Sequence, residues 1–364
     1  MTNGAAADAG DAQAEGAAPG RRAYIGSFTA NGGRGITTAA VDPESGALTV
    51  LHSTDAVPNP SYLVPDPDGR WLYAVSETAD GAAAAFALTP GGQPELLGPA
   101  VPVGGADPTH LTLVEGRLAT ANYSSGSVSA LPVGEDGSLG GTAGVLAHEG
   151  SGPHADRQEG PHAHAVAPAP DGRWLLSVDL GTDSVRICTF ADPAAEAPDV
   201  HDEVPLRPGS GPRHLAFHPH GHHVYVIHEL DPVVTVCRWD GARGALTPLG
   251  ECRLLPEGAE AAGTYPSGLV VSPDGRFAWA ANRGHDSLSV LALDPSGGAA
   301  TLVTTVPCGG RWPRALALHP DGRHLYVANE RSGDVTWFTV DPVTGVPVRG
   351  GAIEAPAASC VVFV

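Results

Sequence analysis

Two imidazoles, His162 and His164, stand just ahead of an apolar stretch in "EGPHAHAVAPAPDGRWLLSV". On a β-strand, residues two apart point the same way. Such a pair can ligate a metal, move a proton or fill space. The chain carries other groups suited to acid–base work or anion binding: Arg213 and His214 in "GPRH", Glu229 in "HEL", Arg283 in "ANR", Arg314 in "WPRA" and Tyr123 in "ANYSSG". A neutral imidazole or a carboxylate can take a proton from water. Guanidinium groups hold carboxylates or phosphates and stabilise a developing oxyanion. A tyrosine ring can stack on a sugar. The segment "HEGSGPHADRQEGPHAH" (148–164) holds four histidines with Glu149, Asp156 and Glu159. Its spacing matches no fixed ligand motif and its Gly-Pro breaks indicate an irregular lid, so no metal or other cofactor is expected. Asp179, Gly181 and Asp183 in "DLGTD" read as turn formers rather than calcium ligands.

An internal repeat shows how residues so far apart can meet. "PDGR" occurs at 67–70, 170–173, 273–276 and 320–323, with degenerate copies "VEGR" at 114–117 and "PHGH" at 219–222, at spacings of 47, 56, 49, 54 and 47 residues. Each copy lies between two apolar, β-rich runs, and Asp-Gly between such runs signals a hairpin. A polar turn and a third strand follow each hairpin, as in "DSLSVLALD" and "GDVTWFTVD", and then a fourth short strand. Four strands per roughly 50-residue unit is the pattern of a β-propeller blade. Six such units, with "RAYIGSFTANGGRGITTAAV" and the terminal "SCVVFV" left over, predict an all-β, seven-bladed propeller of four-stranded blades over 23–364. Its last blade is closed by strands from both termini, and no helix exceeds a turn or two.

Stacked on their turns, the units offer the pairs Ser61–Tyr62, Thr109–His110, Ala163–His164, Arg213–His214, Ser267–Gly268 and Arg314–Ala315 just before the first apolar run. Just past the second run they offer Glu77, Tyr123, Leu180, Glu229, Arg283 and Glu330. Antiparallel pairing places the start of the first strand beside the end of the second. Both sets therefore gather at one mouth of the central channel. His164, Arg213, Glu229, Arg283 and Arg314 converge there, while the turns and the "HGHH" run at 220–223 are expected, exposed, on the opposite face. Charges crowded at one narrow mouth are costly unless they pair or bind something.

The formal net charge of −20 makes nucleic acid and anionic membrane surfaces poor partners, and no apolar run is long enough for a membrane helix. All 20 basic residues are arginine, which excludes a lysine Schiff base and a Walker A lysine. Five cysteines are scattered, without C-x-x-C spacing, as free thiols in a reducing compartment would be. Residues 1–22 open with a small-residue, acidic tail that reads as disordered and lacks the basic start and apolar stretch of a signal peptide. The expected compartment is the cytoplasm.

The motifs "YIGSFT…GRGI", "NPSYLV", "ANYSSGSVS", "RQEGPHAHAV", "VDLGTDSV", "GSGPRHLAFHP", "YVIHEL" and "ANRGHDSLSV" resemble the seven-bladed-propeller lactonase family, which includes 6-phosphogluconolactonases and carboxy-muconate cyclases. The resemblance spans residues 23–364. It implies an active site at the channel mouth built from His164 (or His162), Arg213, Glu229 and Arg283. His162, Tyr123, Arg314 and His214 are the expected substrate contacts. Two positions depart from the family pattern: "AAGTYPSGLVV" ahead of the fifth hairpin, and Glu330, where a neutral amide is expected. The implied activity is hydrolysis of a sugar lactone, typically 6-phosphoglucono-lactone. Two alternatives stay open: a cycloisomerase or lyase acting on an unsaturated carboxylate, and a non-catalytic interaction propeller. The last would call for an apolar mouth, whereas this one is charged.

Overall fold

The structure is a computed structural model that describes residues 21–141, 143–190 and 195–364. Most of the acidic tail, expected to be disordered, lies outside the described residues. The first strand, Arg22–Ser27, starts one residue earlier than the expected boundary. Seven antiparallel sheets follow one another around the chain. Blade 1 combines the C-terminal strand Ala358–Phe363 with Arg22–Ser27, Ile36–Val41 and Leu48–Thr54, so both termini close the ring. Blade 2 spans residues 63–102, blade 3 108–147, blade 4 163–205, blade 5 212–253, blade 6 265–307 and blade 7 313–354. Among the described residues the helical content is one 3₁₀ turn, Thr29–Asn31, and no helix is long and apolar enough to cross a membrane.

The repeated sequence explains the repeated geometry. Each "PDGR" turn joins the innermost strand of a blade to the next strand, and its glycine takes a left-handed conformation that other residues rarely adopt, as at Gly69 (φ 67°) and Gly322 (φ 70°). There is no single core. Seven apolar clusters lie between successive blades, for example Ala165, Leu176, Val226 and Trp239 between blades 4 and 5. Aromatic residues of the second strand latch neighbouring blades. The Tyr73 and Tyr225 hydroxyls donate to the carbonyls of Gly137 and Gly297, the Trp279 indole to that of Gly345, and the Tyr326 hydroxyl to that of Gly46, each in the following blade. A buried aromatic thus keeps its polar tip satisfied while its ring fills the interface. All five cysteines are free and buried, and burial pushes the Cys188, Cys237 and Cys360 thiols up to about 12.

The feature that builds the mouth is a bulge near the start of the innermost strands. In blade 5, Pro212 pairs with His228 and His214 with Ile227, leaving Arg213 as the extra residue. The same irregularity singles out Thr109 in blade 3, His164 in blade 4 and Arg314 in blade 7. A bulge re-aims the side chain of the residue it inserts, here toward the channel mouth. His164 is therefore the equivalent of Arg213 and Arg314. The expected pair Ala163–His164 is corrected by one residue; His164 lies six residues before its turn, as Arg213 and Arg314 do before theirs.

Candidate active site

Glu229 organises the mouth. It follows strand His223–His228 and its carboxylate is only 7% exposed. Oε2 accepts from Arg213 Nε at 2.9 Å and from Arg283 Nη2 at 2.6 Å, and Oε1 accepts from Arg157 Nη2. Arg213 comes from the bulge of the same blade, Arg283 from the end of strand Phe277–Arg283 in blade 6, and Arg157 from the loop ahead of blade 4. Both inner arginines are fixed by backbone: Arg213 Nη1 donates to Ser267 O at 2.8 Å, and Arg283 Nε to Tyr265 O at 3.0 Å. The Arg283 and Arg213 guanidiniums hold the Glu229 carboxyl well below its usual range against the opposing effect of burial. Burial also works against the charge of Arg213 and Arg283, and Glu229 offsets it. One carboxylate among three guanidiniums leaves the cluster net positive in a protein of charge −20.

His164 Nε2 lies 3.8 Å from Glu229 Oε2. Burial, reinforced by Arg213, holds this imidazole well below 6.5, so it is neutral at pH 7. Its ring stands edge-on to Tyr123, with centroids 5.5 Å apart, and 5.5 Å from His214. His214 in turn meets His110 edge-to-face at 5.0 Å, and burial depresses both imidazoles, that of His110 to about 3. A column of uncharged rings therefore lines the channel beside the cationic cluster.

The loop carrying Arg157 is pinned by Asp179 and Gln158. Asp179 Oδ1 accepts from the backbone N–H of His162, Gly181 and Thr182, while Oδ2 bonds His148 Nδ1 at 2.6 Å and Arg186 Nη1 at 3.2 Å. The Gln158 side chain donates to Leu180 O. Asp183 does the same for the next loop, accepting from the N–H of Gly209 and Gly211 immediately before Arg213. Gly211 has φ 63°, and a Cβ there would stand 2.6 Å from Leu230 Cγ, so a side chain would be strained and would crowd Leu230. The "DLGTD" carboxylates thus shape turns, as the sequence indicated.

Of the expected residues, His164, Arg213, Glu229 and Arg283 come together. Tyr123 joins them through Arg157, whose Nη2 is 3.4 Å from its hydroxyl. His162 stands aside: its ring stacks on Tyr123 at 4.5 Å, Nδ1 lies 3.0 Å from Tyr123 O, and Nε2 is 3.4 Å from Glu159. Arg314 does not contact Glu229; it pairs with Glu330 and Glu77. Among the histidines of 148–164, His148 is buried on Asp179 and His154 is exposed, so they form no common ligand set. On the turn side, His220 and His222 are exposed as expected, but His223 is half-buried as the first residue of its strand. His319, Asp321 and His324 form the described cluster with metal-like spacing, and there Asp321 ties down its own hairpin turn. Arg157 is the member of the site that the sequence did not single out. It lies in the "RQEGPHAH" motif, whose imidazoles and carboxylates are the more conspicuous groups.

The family model "Lactonase, 7-bladed beta-propeller" matches residues 22–363. A curated relative named 6-phosphogluconolactonase, from Bacillus subtilis, is 33% identical over 285 residues, covering 77% of this chain and 80% of its own length. The crystal structure of a putative 6-phosphogluconolactonase from Bacteroides fragilis superposes with a TM-score of 0.88 at 32% identity, covering 95% of this chain and 98% of that one. The periplasmic gluconolactonase of Pseudomonas aeruginosa gives 0.87 at 33% identity, covering 94% and 99%. With its seven blades, six of four strands and one whose outer position is divided between two short strands, and a match along nearly all of its length, the chain belongs to the lactonase family of seven-bladed β-propellers.

Proposed function

We propose that this chain hydrolyses 6-phosphoglucono-lactone at the channel mouth, with His164, Glu229, Arg213 and Arg283 as its catalytic groups. The observation that carries the reading is one buried carboxylate gripped by three guanidiniums, 3.8 Å from a neutral imidazole. The names of the relatives support hydrolysis of a sugar lactone over lactone formation, and the charged mouth argues against a purely non-catalytic platform.

In this reading His164 Nε2 takes a proton from water as the water oxygen attacks the lactone carbonyl carbon. The carbonyl π electrons move onto oxygen, and Arg213 and Arg283 meet that oxyanion with charge-assisted hydrogen bonds. Glu229, kept ionised, stabilises the imidazolium formed beside it. Collapse of the tetrahedral adduct breaks the bond to the ring oxygen, which leaves with the proton from His164. One water is consumed, and the open-chain acid ionises at neutral pH. Arg157, 32% exposed, is the guanidinium best able to turn from Glu229 toward an incoming phosphate; Tyr123 and His214 form the wall. The free thiols fit a reducing compartment and support a cytoplasmic location in this reading, although the Pseudomonas relative is named periplasmic.

The test is acid release from freshly prepared 6-phosphoglucono-lactone, followed against the spontaneous rate with and without EDTA. Acceleration that survives the chelator is expected. A rate equal to the spontaneous one sinks the reading.

A further inference from the structure

A second charged cluster closes the other side of the mouth. Arg314, the bulge residue of blade 7, lies between two carboxylates: Nη1 is 3.4 Å from Glu330 Oε2 and Nη2 is 3.7 Å from Glu77 Oε1. The Ser61 hydroxyl donates to Glu77, and the Arg314 guanidinium sits 4.7 Å above the Phe28 ring. Arg314, Glu77 and Glu330 are 18%, 16% and 17% exposed, more open than Arg213 or Glu229. Arg213 and His214 line the same narrow cleft as Glu77 and Arg314, only about 10 Å³ in volume, so the two clusters adjoin there and a substrate reaches them from the open rim rather than by filling the cleft.

Their charges are opposite. Glu229 with three guanidiniums is net positive; Arg314 with two carboxylates is net negative. A phosphate or carboxylate is drawn to the first and repelled by the second. What the second offers is a set of alternating acceptors and donors: carboxylate oxygens, guanidinium N–H groups and the hydroxyls of Ser61 and Thr109. Sugar hydroxyls, which both donate and accept, match such a set. Burial pushes the Glu77 carboxyl above its ordinary value despite Arg314 and Ser61, so further hydroxyl donors would relieve an under-compensated charge.

We propose that Glu77, Arg314 and Glu330 form the subsite for the hydroxyl groups of a polyhydroxylated substrate whose phosphate rests on Arg157 and whose carbonyl end meets Arg213 and Arg283. The inference deepens the lactonase reading and takes the substrate class from it, while hydroxyl recognition itself is tested without turnover. Arranged this way, the mouth admits the substrate in one orientation only.

The test is calorimetric titration of the full chain with 6-phospho-D-gluconate and with 6-(phosphonooxy)hexanoate, which carries the same carboxylate and phosphate but no hydroxyls. The proteins are the wild type, Glu77→Ala and Glu330→Ala; Glu77→Gln substitutes if the alanine variant does not fold, as judged by circular dichroism. Wild type is expected to prefer the polyol. Each variant should bind the polyol about tenfold more weakly, the size of one lost charge-assisted hydrogen bond. The hydroxyl-free analogue should bind equally well or more tightly, because the variants remove negative charge. Parallel changes for both ligands overturn the subsite, as do equal wild-type affinities or no binding of either. Absence of acid release from the lactone, with the binding pattern intact, overturns the lactonase reading and leaves the subsite standing.

Discussion

Blades 5 and 7 make the same move with different partners. Each supplies an arginine at the bulge of its innermost strand and a glutamate just past its second strand: Arg213 with Glu229, and Arg314 with Glu330. Even the supports match. Asp183 accepts backbone N–H groups ahead of Arg213, and Asp286 accepts the Trp312 N–H ahead of Arg314. The neighbours make the difference. Blade 6 ends its second strand in Arg283, and the blade 4 loop adds Arg157, so Glu229 becomes the minority charge. Blade 2 places Glu77 just past its second strand, so on that side Arg314 is outnumbered. A propeller can therefore turn one repeated pair into two sites of opposite sign through the residues that other blades and loops bring to it.

The comparison breaks most visibly on the blade 5 side. Glu229→Gln leaves three guanidiniums around a neutral amide. Removing one partner from a buried ionic cluster costs about 3–5 kcal/mol, whereas Glu330→Gln, at a part-exposed pair, should cost about 1 kcal/mol or less. Urea denaturation of both variants checks the contrast, and equal losses would erase it. A smaller effect is expected for Arg157→Ala. This guanidinium is held by Glu229 and Tyr123 but is one-third exposed. Its loss should raise KM for the phosphorylated lactone about tenfold, as for one charge-assisted contact, and change kcat little; a kcat defect with unchanged KM would place Arg157 on the reacting atoms instead.

A separate effect is on pH, and its size grows with the number of imidazoles that titrate. Burial holds His110 and His228 down to about 3 and keeps His164 and His214 well below 6.5. Unfolding exposes imidazoles that take up protons near 6.5. Below that value the unfolded chain binds more protons, and these groups contribute stability that is present above pH 6.5 and lost as pH falls toward the folded values. Each proton taken up adds about 1.4 kcal/mol per pH unit to the slope. Glu77 shifts the opposite way, because its raised carboxyl binds its proton better when folded. Urea midpoints from pH 7.5 to 5 should therefore fall. A rise would mean that the imidazole column is not neutral in the folded state.

The seven blades were legible because the turn is a local device: Asp-Gly between apolar runs dictates a hairpin wherever it recurs. Convergence at the mouth was legible too, since antiparallel pairing brings strand starts and strand ends together. The bulge was harder to read. It inserts one residue without changing the surrounding sequence, so nothing local marks it; the slip at Ala163–His164 was in the alignment, since counting six residues back from the turn gives His164. Arg157 lay beyond any stacking of repeats because it enters from a loop held by Asp179 and Gln158, contacts between residues about 20 positions apart. The division of the mouth into a positive and a negative half depends on pairings between blades, such as Arg283 with Glu229 and Glu77 with Arg314, which only the closed ring fixes.

The most direct test of the central claim is the rate of acid release from 6-phosphoglucono-lactone by wild type and His164→Ala, with thermal melting to show that both are folded. The account predicts clear acceleration by the wild type and a loss of about 10²–10⁴ in kcat for the variant. Turnover by folded His164→Ala at the wild-type rate would contradict it and remove the base from the mouth.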